Sequence, residues 1–465
     1  MKRIKYYLAT LLSSALLLSS CSDSFFDINV DPNNPATATP ALVLPSAVSG
    51  SAYVLGGYYH AVGSYWTQQY AQSPSSSQWA EWESYNINED DFNRQFTTLY
   101  AGSLYDYQFV RDNTAATSNW KYYTIATLMQ AYTFQVLADL YDKVPFNDAL
   151  KGIAVPQPRY DNGSLIYDSL LVRIDNAMAK NFKASTVEDP KKSDLILAGD
   201  MAKWQQFANT LKLKIYMRYT KVDANKYKTQ IQALLAENNF LAVDAKFSAF
   251  KAEQTGYNPF YNTFVDRLAS NVIANTTLMN FLTVNVDPRR EKIFKASETG
   301  GLMASVASGE SPVKTGTIKN FATPAITGTN PVYFFSVEEV LFLVAEAQER
   351  YGSTVTAQAT YFKAIEASLL SLGLSATAIP VTTYPYNGIQ SIMEQKWLAS
   401  ANKRAIEAFF DFNRTGFPAF FTKSLTSIFA GPERPQRLFF PDGERKTNAN
   451  TPAKVALTEK VWWAK

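Results

Sequence analysis

The single cysteine of the chain, Cys21, follows directly after a short apolar segment near the N-terminus. Basic residues open the chain, residues 6–18 are mostly apolar, and small residues precede the cysteine, a pattern typical of a bacterial export signal. Residues 18–21 (Leu-Ser-Ser-Cys) resemble a lipobox, in which the cysteine is acylated and becomes the mature N-terminus. Each buried methylene contributes about 0.8 kcal/mol, so two or more acyl chains hold a protein on a membrane. We therefore predict a signal peptide over 1–20 and a lipid anchor at Cys21; the alternative is a plain signal peptide with an incidental cysteine.

The rest of the 465-residue chain is long enough for one large or two ordinary domains. We identify no second stretch with the apolar length needed to span a bilayer, so we expect a soluble body on a tether. Asp, Asn and Pro are dense after Cys21, which favours turns over a helix. The prediction is a tether over 21–40 within a single domain, 21–465.

Composition argues against several classes of partner and chemistry. The net charge is only +3, which makes nucleic acid an unexpected partner. Aromatic residues reach 14% while charged residues are only 18%, a balance that suits neutral polar ligands. With one histidine, His60, the chain lacks the parts of a Cys/His zinc site or a histidine-based triad, and it has no Walker or GxGxxG motif. We predict no cofactor and no metal; residues 86–91 are acidic but lack the glycine and terminal glutamate of an EF-hand.

Apolar periodicity predicts helices separated by long loops. Residues 122–141 have the i, i+3, i+4 spacing of a helix with one solvated face, and residues 204–219 are similar. Ser336 and Glu339 form a capping box before a helix that ends at Gly352, and a second helix follows over 356–372. Such a hairpin suggests tetratricopeptide-like units. The predicted fold is mainly α: tetratricopeptide-like helix hairpins form a scaffold with long irregular loop insertions, at 72–78, 246–262 and 298–330.

Five segments in order along the chain carry a family resemblance. They are the lipobox with residues 27–29 and 31–35; Leu-Ala-Asp-Leu-Tyr-Asp-Lys-Val-Pro-Phe at 137–146; Trp-Gln-Gln-Phe-Ala-Asn at 204–209 with 211–213; Ala-Glu-Ala at 345–347; and Gln-Lys-Trp-Leu at 395–398 through Arg-Thr-Gly-Phe-Pro at 414–418, Arg437, Phe440, Pro441, Glu444, Asn448 and 461–463. On these residues the chain resembles the SusD/RagB outer-membrane lipoproteins of Bacteroidetes. Asn413 and the pair Asn450-Thr451 depart from the family pattern.

The resemblance implies a non-catalytic, lipid-anchored nutrient-binding protein on the outer membrane, facing the cell surface. Its implied partner is a SusC-like TonB-dependent transporter, and its implied ligand is an oligosaccharide or a peptide. Two alternatives stay open from the residues themselves: a surface glycoside hydrolase with two carboxylates, and a structural or adhesion lipoprotein. The carboxylates and arginine of the C-terminal segment (Glu394, Glu407, Asp411, Arg414) are interpreted as an internal ion-pair network.

Two stretches are candidate ligand sites, because a sugar offers an apolar ring face to aromatic side chains and hydroxyls to amides and carboxylates. The first follows the polar loop 73–77, which we expect to display its tryptophans. The second is a Gly- and Pro-containing loop near residue 260. The candidate ligand-binding residues are Gln78, Trp79, Trp82 and Tyr85 in the first stretch and Tyr257, Asn258 and Tyr261 in the second.

Overall fold

Helices make up most of the regular structure in this computed structural model, which describes residues 38–185 and 189–465. Cys21, the predicted signal peptide and nearly all of the predicted tether lie outside the described residues. The helices are α1 Pro40–Val54, α2 His60–Trp66, α3 Ala80–Glu83, α4 Asn93–Thr97, α5 Tyr105–Ala116, α6 Trp120–Tyr141, α7 Gly163–Met178, α8 Met201–Arg218, α9 Lys228–Glu237, α10 Thr276–Val284, α11 Arg290–Ile293, α12 Val337–Tyr351, α13 Thr354–Ser371, α14 Gly388–Ala399, α15 Ala405–Thr415 and α16 Asp442–Thr447. The strands are β1 Tyr70–Gln72, β2 Lys143–Pro145, β3 Tyr160–Asn162, β4 Ala245–Phe247, β5 Val272–Ala274, β6 Phe294–Lys295, β7 Thr323–Pro324 and β8 Val332–Phe335.

The central helix is α6, which packs against α1, α5, α7 and α8. The predicted helix is confirmed, but its predicted solvated face is wrong, because polar and apolar side chains from residue 124 to 141 are all buried. The buried polar groups have partners: Asp139 accepts hydrogen bonds from Gln135 and from the Tyr167 hydroxyl on α7, and pairs with Arg218 on α8. The spacing of polar residues in α6 predicted that they face solvent. In the structure, other side chains supply the hydrogen bonds that water would otherwise make.

Helices α12 and α13 form the predicted hairpin. Ser336 caps α12 through a hydrogen bond from the Glu339 backbone N–H to its Oγ, 3.4 Å long. The Glu339 carboxylate pairs with Arg404 at 3.3 Å. α14 packs on both helices of the hairpin. The mainly α, tetratricopeptide-like scaffold with long loop insertions is therefore confirmed.

The stretch Pro40–Trp66 runs as one helix through α1, a π-helical segment Leu55–Tyr59, and α2. It is long and apolar enough to cross a membrane by length and composition, so the expectation that no second stretch reaches that length is wrong. Half of its most apolar window is buried inside the protein, and it packs on α5, α6 and the π-helical segment Thr98–Leu104. A core helix meets the same criterion as a membrane span, and its packing places this one in the core.

Short two-stranded sheets connect the loops to the helical scaffold. β1 pairs with β5 in antiparallel register, with Gln72 opposite Val272. β6 pairs with β7 within the insertion after α11. The β1–β5 pairing brings the loop that follows β1 against Asn271, which positions the first candidate ligand site.

Candidate functional site

The first candidate stretch lies in the protein interior. Trp79 and Trp82 are 5% and 4% exposed, with ring centroids 4.6 Å apart, and the Trp79 ring lies 4.8 Å from that of Phe264. The loop before them folds inward because Asn271 Oδ1 accepts hydrogen bonds from Ser76 Oγ (2.6 Å) and the Gln78 backbone N–H (3.1 Å). The expectation that both tryptophans are displayed is therefore wrong. The polar loop indicated exposure, but its hydrogen bonds go to residues nearly 200 positions later in the chain.

The other two candidates of that stretch differ from each other. Tyr85 is buried, its hydroxyl accepts a hydrogen bond from the Ser424 backbone N–H (3.3 Å), and its ring stacks on Phe429. Gln78 keeps an exposed side chain. Only Gln78 of this group presents a polar side chain to solvent.

Beneath the same loop lies a buried carboxyl group, Glu83. It accepts a hydrogen bond from the Gln72 backbone N–H at 3.2 Å and another from the backbone of Gly309. Burial raises its pKa to about 7, although these two hydrogen bonds oppose the shift. Glu83 belongs to the first candidate stretch, but an isolated glutamate gives no signal in the sequence that its carboxyl group is buried.

In the second candidate stretch the Asn258 side chain forms hydrogen bonds with backbone groups. Its side-chain Nδ2 donates to the Asn330 carbonyl (2.9 Å), and its Oδ1 accepts from the Phe260 and Tyr261 backbone N–H groups. Asn258 is 2% exposed. Its amide holds the start of the π-helical segment Tyr261–Arg267 in place, so it does not supply the paired donor and acceptor to solvent that its sequence context predicts.

Tyr257 and Tyr261 are half-buried and form an edge-to-face pair with ring centroids 5.0 Å apart. The Tyr257 ring lies directly over Gly328, where an added Cβ would be 2.3 Å from Cδ1 of the ring. Pro259 between them packs on Gly57 of the long N-terminal helix. The fold therefore presents these two rings at the surface, where the loop meets that helix.

Two further tyrosines lie on that helix. Tyr53 is 38% exposed, and Tyr58 is half-buried against Trp79, Trp82 and Phe264. Burial raises the pKa of Tyr58, as does the nearby Tyr53. We call Tyr53, Tyr58, Tyr257 and Tyr261 the tyrosine surface. The buried Trp79 and Trp82 pack against Tyr58.

The C-terminal carboxylates form the predicted internal ion-pair network. Glu407 pairs with Lys214 (2.6 Å), Arg218 (2.5 Å) and Arg404 (2.6 Å), all buried. Asp411 pairs with Lys396 at 2.7 Å. These cations hold the pKa of Glu407 well below its usual range despite its burial. Glu394 is the exception, because it lies outside the network, half-buried at the edge of a cleft.

His60 has a structural environment. Burial lowers its pKa to about 3, so the imidazole is neutral near pH 7, and its Nδ1 accepts a hydrogen bond from the Ala405 backbone N–H at 3.1 Å.

The acidic turn at 88–91 is held by contacts within the protein. Asp91 Oδ2 accepts a hydrogen bond from the Asn88 N–H, and Glu89 pairs with Arg445 and Lys454. Across residues 38–185 and 189–465, no group of three or more His, Cys, Asp or Glu side chains could hold a metal ion.

A polar and aromatic cleft between α10 and α14 was missed by the sequence analysis. A signal was present, since Tyr-Pro-Tyr-Asn at 384–387 combines the same residue types as the loop at 257–262. What the sequence did not indicate is that this segment packs beside Phe281, a hundred residues earlier.

Comparisons with known proteins agree on the family and the fold. A SusD-like family model, described as "Starch-binding associating with outer membrane", matches residues 32–441. A search of curated protein sequences finds no match. A SusD homolog from Bacteroides uniformis is 20% identical, with a TM-score of 0.77 over 91% of this chain and 99% of that chain. A SusD/RagB family protein from Bacteroides thetaiotaomicron is 20% identical, with a TM-score of 0.76 over 92% and 99%. A chitin-binding SusD homolog from Flavobacterium johnsoniae is 19% identical, with a TM-score of 0.75 over 91% and 98%.

Proposed function

Because the chain belongs to the SusD-like family, we propose that it is a non-catalytic glycan-binding protein of the outer membrane. In this proposal Cys21 carries the lipid anchor, and the folded body faces the cell surface. It captures a neutral oligosaccharide and delivers it to a TonB-dependent transporter. The family description names starch binding, and one structurally similar protein is chitin-binding, which supports a glycan over a peptide.

The observation that carries the proposal is the tyrosine surface. Tyr257 and Tyr261 lie edge to face, and each leaves part of its ring open to solvent. Aromatic rings bury the apolar face of a sugar at low entropic cost, because few torsions must be fixed. Since Gly328 and Pro259 hold this loop in place, little ordering is needed on binding.

The alternative of a carboxylate-dependent glycoside hydrolase finds less support. Hydrolysis requires two carboxyl groups facing each other across the scissile bond. Glu407 and Asp411 are neutralised by buried lysine and arginine side chains, and the neighbouring Glu394 lies apart from them. Glycan capture needs no such pair, and it is the function the described residues support best.

The test is calorimetric titration of the full mature chain with maltohexaose, chitohexaose and a mixed peptide library. We expect saturable binding of an oligosaccharide with no release of reducing ends. Tyr257→Ala/Tyr261→Ala should weaken it roughly tenfold or more, since each lost ring contact is worth about 1 kcal/mol. Tyr105→Ala, at a tyrosine that is 49% exposed on α5, is the matched control and should bind normally.

Each part of the proposal has its own contrary outcome. Binding of peptides alone would exclude the glycan assignment, and steady release of reducing ends would exclude a non-catalytic role. Normal binding by a folded Tyr257→Ala/Tyr261→Ala variant would remove the tyrosine surface as the site. Delivery and anchoring are tested separately: we expect the chain to co-purify with a large outer-membrane barrel protein, and Cys21→Ser to release it from membranes.

A further inference from the structure

A cleft of about 270 Å³ lies between the end of α10 and the start of α14. This volume lies just below the roughly 300–1,000 Å³ of sites for drug-sized ligands, which suits a ligand of about one sugar ring. We call it the α14 cleft; its lining residues include Phe281, Asn285, Tyr384, Gln390, Glu394 and Gln395. It shares no lining residue with the tyrosine surface.

One side of the cleft is aromatic and fixed in position. The Phe281 and Tyr384 rings are nearly parallel, at 11° and 5.6 Å between centroids. The Tyr384 hydroxyl donates to Asp287 Oδ2 at 2.8 Å, and Asp287 is held by Arg289 at 2.7 Å in a fully buried ion pair. Tyr384 is itself only 7% exposed, so this anchored ring supports Phe281, which is half-buried and provides a rigid apolar surface before any ligand arrives.

The polar side of the cleft has unused hydrogen-bonding capacity. Gln395 is 1% exposed; its Oε1 accepts from Arg289 Nη2 (2.9 Å), but its Nε2 has no partner among the described residues. A buried donor without an acceptor is unfavourable, so an oxygen supplied by a ligand would stabilise it. Gln390 Nε2 donates to Glu394 Oε1 at 3.0 Å, which orients this carboxylate at the edge of the cleft.

Charge narrows the ligand class. Glu394 and Glu349, the latter bonded to Tyr386 beside the cleft, are acidic, and neither lysine nor arginine is among the lining residues. Uronate or sulfate groups call for such cations, so an anionic sugar does not fit. Amides and a carboxylate around a flat ring suit the hydroxyls of an uncharged sugar.

We propose that the α14 cleft is a second binding site, which holds one pyranose unit of a neutral oligosaccharide. The sugar ring lies against the half-buried Phe281, with Tyr384 stacked behind it, and its hydroxyls bond Gln390, Glu394 and the free N–H of Gln395. The inference rests on the proposed function, because it assigns a further site for the same ligand class.

The test combines affinity with a local readout on the full mature chain. Carboxyl groups are labelled with a carbodiimide and an amine, with and without saturating maltohexaose or chitohexaose, and quantified by peptide mass spectrometry. We expect a bound sugar to reduce labelling of Glu394 at least threefold and to leave Glu366, in the neighbouring groove, unchanged. Gln390→Ala/Glu394→Gln should weaken this binding roughly tenfold by calorimetry, and Glu366→Gln should not.

The possible results separate this inference from the proposed function. Sugar binding that leaves Glu394 labelling unchanged, with normal affinity in Gln390→Ala/Glu394→Gln, would overturn the cleft and leave the tyrosine surface as the site. Protection of Glu394 that persists in Tyr257→Ala/Tyr261→Ala would establish that the α14 cleft binds sugar independently of the tyrosine surface. Equal protection of Glu394 and Glu366 would overturn a specific cleft, and no binding of either sugar would overturn both proposals.

Discussion

Arg414 on α15 donates to both carboxylate oxygens of Glu346 on α12, at 2.5 and 2.7 Å, and neither side chain is accessible to solvent. This bidentate pair joins the helix hairpin to α15. Arg350 also donates to Glu346, at 2.8 Å, and Arg414 reaches Asp411 at 3.0 Å. The two cations lower the pKa of Glu346 below its usual range, although burial alone would raise it.

Removing the Arg414 side chain should therefore destabilise the folded protein. Arg414→Ala leaves Glu346 buried with less compensation, and we expect the free energy of unfolding to fall by about 3–5 kcal/mol. Urea denaturation of both proteins measures the difference. Lys121→Ala, which removes one partner of the more exposed pair with Asp189, is the control and should cost no more than about 1 kcal/mol. A loss for Arg414→Ala as small as the control's would contradict a stabilising role for the buried pair.

Glu83 predicts a distinctive pH dependence. Because its folded pKa is about 7 and its ordinary value is 4.5, the folded state holds the proton more tightly. This stabilisation is complete below pH 4.5 and is lost as pH rises to about 7, amounting to roughly 3 kcal/mol. Glu83→Gln resembles the protonated acid, so its unfolding free energy should not show this loss.

The measurement is urea denaturation of both proteins from pH 4.5 to 8. The difference between them isolates Glu83, because His60, whose folded pKa is lowered to about 3, destabilises both equally as pH falls below about 6.5. The advantage of Glu83→Gln should grow with rising pH. A difference that is constant across this range would mean that Glu83 does not titrate as its burial indicates.

Trp79 and Trp82 should affect stability more than binding. Each is a large buried ring, so we expect Trp79→Ala or Trp82→Ala to destabilise the protein by about 3–5 kcal/mol. Trp79→Phe should cost much less, since Trp79 Nε1 has no hydrogen-bond partner among the described residues. Thermal unfolding measures the loss of stability, and sugar titration of the same samples measures any loss of affinity. Weakened binding with unchanged stability would restore the two tryptophans as ligand contacts.

Gly328 tests the position of Tyr257 without changing either tyrosine. In Gly328→Ala the new Cβ would lie 2.3 Å from Cδ1 of the ring, so Tyr257 must move, and sugar affinity should fall about threefold or more. Gly102→Ala is the matched control, since nothing lies within 4 Å of its added Cβ. If Gly328→Ala binds as tightly as the wild type, the precise position of Tyr257 is unimportant.

The sequence by itself determined the helical scaffold and the family. Helix α12, its cap at Ser336 and its partner α13 follow from spacing and capping, which are local properties of the chain. The ordered motifs at 137–146, 204–209 and 414–418 led to the same family that the comparison over 32–441 shows. The C-terminal ion-pair network was also predictable, because Glu407, Asp411 and Arg414 share a helix.

Only the tertiary structure decided which polar and aromatic residues face solvent. Trp79 and Tyr257 both follow polar, turn-rich sequence, yet the first is buried under Asn271-bonded loop residues and the second lies at the surface over Gly328. α6 has polar positions that resemble a solvated face, but Asp139 meets Arg218 there instead of water. The exposure of a side chain depends on what packs against it, and those neighbours come from residues far away in the chain, beyond the reach of any local pattern.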